Sequence, residues 1–138
     1  ADYNVVRVFL RKGSITAPDG SASLNEAYMA NVVDFVRRSA AHGVYTYLSI
    51  DWVPDAYLAA AGDFPENQPK VQGTNNHYFS ERFIQAYGHY WGDVLRRVKQ
   101  EDPALLTAIA AMDRHKSAFA HWFRIRFPDA QSQITDIC

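Results

Sequence analysis

Arg7 stands in the middle of an apolar run, Tyr3 to Leu10 (YNVVRVFL). Burying a guanidinium is costly unless a carboxylate or a ligand oxygen satisfies it. The residue therefore either orients an active-site carboxylate or substrate oxygen, or it serves a structural ion pair or an exposed strand face. Asp51-Trp52 closes a second apolar run. A carboxylate beside an aromatic plane suits a sugar, whose hydroxyls want acceptors and whose C–H face wants an apolar surface. The plain alternative is that Asp51 caps the next turn and Trp52 packs beneath the loop. Asn75, Asn76, His77 and Tyr78 end a long polar segment just before a helical pattern. They can donate hydrogen bonds to a ligand, although such a cluster more often caps the helix. Asp113-Arg114-His115 follows a third apolar run, where a catalytic group would stand, and Asp113 also fits a helix cap. Asp51 and Asp113, the pair of carboxylates at successive strand ends, are the candidate catalytic residues. Arg7, Trp52, Asn76, His77 and Tyr78 are the candidate substrate-binding residues.

Other chemistries find little footing. The histidines at 42, 77, 89, 115 and 121 form no close ligand pair with a third partner in reach. No glycine-rich phosphate loop follows a strand, and no GxSxG elbow is present. No metal or cofactor is expected. Cys138, the only cysteine, rules out an internal disulfide. With 14 basic against 15 acidic residues, the net charge of -1 lacks the footprint of a nucleic-acid binder. Nor is there a polybasic segment for an anionic membrane. No apolar run approaches the roughly 20 residues of a membrane span, and the first residues have no signal-peptide pattern. A soluble chain is expected, with its compartment open.

The elements that must position these residues alternate. Tyr3 to Leu10 reads as a buried strand. Pro18-Asp19-Gly20 marks a turn in the polar stretch from Arg11 to Ala22. Ser23-Leu24-Asn25-Glu26 fits a capping box, and Tyr28, Val32, Phe35, Val36 and Ala40 form the stripe of the helix behind it. Gly43 sits where a left-handed helix terminator is favoured. Val44 to Ile50 is the second strand. The segment from Val53 to Tyr78 has no sustained period, with a short helical turn expected over Ala56 to Ala61. Phe79, Phe83, Ile84, Tyr87, Trp91, Val94, Leu95 and Val98 give a long helix its apolar face. Tyr87, Tyr90 and Trp91 read as core or interface. Leu105 to Ala111 is the third strand, and a last helix bearing Phe119, Trp122, Phe123 and Phe127 runs to Pro128. The order β-α-β-α-β-α implies a parallel sheet covered by helices, in one domain over residues 1–138. Helix-to-strand connections are short and strand-to-helix ones long, which places a binding face at the carboxyl ends of the strands.

The runs YNVVRVFL, NVVDFVRRSAAHGVYTYLSIDWVPD and FSERFIQAYGHYWGDVLRRVKQEDPALLTAI resemble the second to fourth β/α units of clan A glycoside hydrolases, the cellulase-like family 5 group in the broad sense. The resemblance spans roughly residues 3–110. It implies a partial (β/α)8 barrel in which Arg7 helps to hold the nucleophile and Asp51 and Trp52 line sugar subsites. The family ends its fourth strand with Asn-Glu, whereas this chain runs on into Met112-Asp113-Arg114-His115. Its glutamates, Glu26, Glu66, Glu81 and Glu101, stand at no strand end. A two-carboxylate mechanism needs its groups about 5 Å apart if retaining and roughly 6.5–9.5 Å if inverting. The resemblance therefore implies a carbohydrate-binding face without the standard two-glutamate hydrolysis, or alternatively a self-assembling or sugar-binding module. Residues 112–138 diverge from the family. Oligo- or polysaccharide is the expected ligand. A homo-oligomer through open sheet edges and the aromatic C-terminal helix is the expected assembly, because three strands cannot close a barrel.

Overall fold

The computed structural model describes residues 4–50, 52–62 and 80–112. Three parallel strands, β1 (Val5–Leu10), β2 (Tyr45–Ile50) and β3 (Ile109–Met112), form one sheet in that order. Between β1 and β2 lie the short α1 (Lys12–Ile15) and the crossover helix α2 (Glu26–Ala41). Between β2 and β3 lie α3 (Asp55–Ala60), α4 (Glu81–Glu101) and a 3-10 turn over Pro103–Ala108. The strand–helix alternation is thus an α/β arrangement with a parallel sheet. The expected last helix lies outside the described residues.

β1 and β2 run in register from Val5 opposite Tyr45 to Leu10 opposite Ile50. β3 meets β2 at Thr46 and Ile109, then the register shifts between Thr46 and Tyr47. Because side chains alternate along a strand, the even positions of β1 and β2 share one face. There Leu10, Thr46, Leu48 and Ile50 are buried and Val8 packs against them. The core is completed by Met29, Val32, Val33 and Val36 of α2 and by Ala86, Tyr87, Tyr90, Trp91, Val94 and Val98 of α4. Tyr90 also stacks obliquely on Trp91, with ring centroids 5.0 Å apart. The core reading of Tyr87, Tyr90 and Trp91 holds.

The odd positions differ. Val5, Arg7 and Phe9 of β1 and Tyr45 of β2 are exposed. Among the described residues, three of the four exposed large hydrophobics, Val5, Phe9 and Tyr45, lie on this face. It is uncovered by any other described element. The expectation of a strand buried on both faces, with Arg7 inside it, is therefore corrected.

Several local expectations also change. The capping residue of α2 is Asn25, whose side chain accepts from the Tyr28 backbone N–H, and not Ser23. Ser23 instead shares a 2.7 Å hydroxyl contact with Ser21. Within α2, Phe35 is exposed while Met29 and Val33 take the core. The third strand begins at Ile109, not Leu105, because Asp102 accepts from the Ala104 N–H and Pro103 opens a 3-10 turn. A short bridge between Thr16 and Leu24 closes the first loop. Gly43, at φ 70°, terminates α2 in the left-handed region, as its position requires.

Candidate functional site

The open sheet face is organised around Arg7. Its Nε donates to Ser49 Oγ at 2.7 Å, a bond between neighbouring strands. The guanidinium carbon lies 4.4 Å from the centre of the Phe9 ring and 5.2 Å from that of Tyr47. Both distances fall within the range in which a cation is held by an aromatic ring. Phe9 is two residues on in the same strand, while Tyr47 is the register partner of Arg7. The strand period thus builds the group: 7 and 9 on β1 and 45, 47 and 49 on β2 share one side. Ser49 is fully buried although polar, and its bond to Arg7 accounts for its place there.

The carboxyl ends of the strands carry the second part. After β1, the backbone N–H of Arg11 donates to the Tyr28 hydroxyl at 3.0 Å. Lys12 then reaches Asp55, the first residue of α3, at 2.8 Å. That ion pair fastens together the loops that follow β1 and β2. Trp52, between β2 and α3 in the chain, is half-buried, and Val53 and Pro54 behind it are buried. Tyr57 is 2% exposed and donates to Asp93 Oδ2 at 2.8 Å, and Asp93 also pairs with Arg96. Burial first, and then the bond to Asp93, raises the Tyr57 phenol above its ordinary value. Arg82 donates from Nε to the Leu58 carbonyl at 2.8 Å. The loop after β2 is therefore held against α4 at two points.

Of the expected site residues, Arg7 and Trp52 are described. Asp51, Asn76, His77, Tyr78 and Asp113 lie outside the described residues, as does Glu66. The described glutamates belong to the helical layer. Glu26 and Glu101 both pair with Arg97, at 2.8 and 3.0 Å, and Glu101 also meets Arg37 at 3.2 Å. Arg97 and Arg37 hold the Glu101 carboxyl below its usual range. Glu81 begins α4. No position of the three strands carries a carboxylate.

Phe9, Tyr47 and Ser49 were not among the residues singled out from sequence. The signal was present as parity, since Arg7, Phe9, Tyr47 and Ser49 are all odd positions of two paired strands. What sequence could not supply was the register, which makes Tyr47 rather than Tyr45 the neighbour of Arg7. Chemically, the group offers a fixed planar cation framed by two rings, suited to hydrogen bonding and stacking. Among the described residues no cluster of histidine, cysteine or acidic side chains could hold a metal ion. No described helix is long and apolar enough to cross a membrane. No protein-family model matches this sequence, and no curated protein or solved structure matches it either.

Proposed function

We propose that the chain is a carbohydrate-binding module of glycoside hydrolase lineage, a partial (β/α)8 barrel that binds sugar without two-glutamate hydrolysis. The observation that supports this reading best is the Arg7 group on the open sheet face. A guanidinium anchored by Ser49 and framed by Phe9 and Tyr47 combines donors with apolar planes. Sugars require that combination, because hydroxyls alternate with C–H faces around the ring. Trp52, which follows β2 at the carboxyl end of the same sheet, adds a third plane on the side where α/β folds bind ligands. The resemblance of residues 3–110 to cellulase-like enzymes points to β-linked glucans as the ligand class.

Calorimetric titration with cello-oligosaccharides tests the reading. Saturable binding is expected, and Arg7→Ala and Trp52→Ala should each weaken it by about tenfold, or roughly 1.4 kcal/mol. Absence of binding, or binding indifferent to both substitutions, overturns the proposal. Release of reducing ends from β-glucan by the purified chain would overturn its non-hydrolytic part.

A further inference from the structure

β1 is an edge strand: the sheet order places it outside β2, and no other described strand flanks it. The Asn4 carbonyl accepts from the Tyr45 N–H at 2.7 Å. Main-chain groups of successive residues point to opposite sides of a strand. Position 4 turns to β2, so Val6, Val8 and Leu10 do likewise, while the main chain of Val5, Arg7 and Phe9 is directed to the outer edge. This edge is a good pairing template. Its sequence VVRVFL is β-branched and aromatic, with neither proline nor glycine, and Val5 and Phe9 are 49% and 54% exposed. The opposite edge is weaker, since β3 has four residues and an irregular register with β2.

We propose that two copies of this chain join along β1, antiparallel and centred on Val8, to make one continuous sheet. A two-fold axis perpendicular to the sheet allows only antiparallel pairing of a strand with its own copy. The register follows from the side chains. Centring the pair on Val8 sets Arg7 opposite Phe9 of the second copy, repeating between subunits the cation–ring contact that Arg7 makes at 4.4 Å within its own strand. On the helical side, Val6 then meets Leu10 of the second copy. The odd positions exchange the main-chain hydrogen bonds, and the two Val8 residues form the non-hydrogen-bonded pair at the axis. The inference stands apart from carbohydrate binding, because edge pairing leaves the open sheet face uncovered.

Sedimentation equilibrium of the full 138-residue chain should show a dimer at micromolar concentration. Phe9→Lys places a cation opposite Arg7 of the other copy and should weaken the dimer by about tenfold or more, whereas Phe9→Glu should keep or tighten it. A face-to-face dimer would be weakened by both substitutions alike. A second measurement does not depend on Phe9. In a Cys138→Ser background, Val8→Cys should oxidise to a linked dimer, because directly opposed residues of a non-hydrogen-bonded pair have Cα atoms about 4.5 Å apart, within disulfide reach. A monomer at these concentrations, equal weakening by Lys and Glu at position 9, or a dimer that the Val8→Cys substitution cannot link would each overturn the proposal.

Discussion

Thr46 is fully buried on the helical side of β2, and its hydroxyl has no hydrogen-bond partner among the described residues. A buried hydroxyl that finds no acceptor or donor carries its desolvation cost without return. Valine has nearly the same shape and the same branching, which suits a strand. Thr46→Val should therefore raise stability by about 1 kcal/mol, seen as a higher urea midpoint at unchanged slope. A lower midpoint would show that the hydroxyl does satisfy a group. The site lies where the β2–β3 register shifts, next to Tyr47. At this same scale Arg7 was half legible. Its presence in an apolar run marked it from sequence as a residue needing explanation. Its exposure was one of the readings the sequence left open; the apolar run alone pointed to a strand covered on both faces, whereas among the described residues only the even face is covered. The answer lay in the neighbouring strand, in Ser49 and Tyr47, which sequence order holds about 40 residues away.

At the scale of elements, the periodic signals were the reliable ones. The α4 stripe and the Gly43 terminator were readable because each is a local pattern with a local cause. The third strand was misjudged at its start, since LLTAIAA is apolar except for Thr107 and carries no period to separate a 3-10 turn from a strand. Asp102 and Pro103 decided it, one by accepting from the Ala104 N–H and the other by its fixed φ. Asn25 displaced Ser23 as the cap for a similar reason: two capable residues two positions apart, with the bridge between Thr16 and Leu24 setting where the helix can begin. The tie between α3 and α4 through Tyr57 and Asp93 has a pH consequence. The folded phenol holds its proton to a higher pH than the ordinary value of 10.0, chiefly because it is buried. Below pH 10 the hydroxyl is protonated in both folded and unfolded chains, so the contribution is complete. Above it, the unfolded chain ionises while the folded one cannot, and stability falls as pH rises. Urea unfolding from pH 8 to 11 should show a steeper loss for the wild-type chain than for Tyr57→Phe. Equal slopes would remove the phenol from the alkaline transition.

Among the described residues, one sheet face is buried under α2 and α4 and the other is covered by no further described element. The helical side holds the core and its ion pairs. The other side holds Arg7 with Phe9, Tyr47 and Ser49, and β1 forms its outer described strand. The parallel topology has a further consequence, for the time course of folding. Bringing Tyr45 to Val5 closes a separation of 45 − 5 = 40 residues, and bringing Ile109 to Thr46 closes one of 109 − 46 = 63. The entropic difference is only about 0.4 kcal/mol, so chain length hardly decides which forms first. The return on closure does: six residues in unbroken register for β1 and β2, against four with a shift for β3. The β1–α2–β2 unit should therefore be largely formed at the rate-limiting step, with β3 docking afterwards. In stopped-flow experiments, Val33→Ala should mainly slow refolding and Ile109→Val should mainly speed unfolding. The reverse pattern would place the nucleus at the other end of the sheet, with β2 as the strand that every route must recruit.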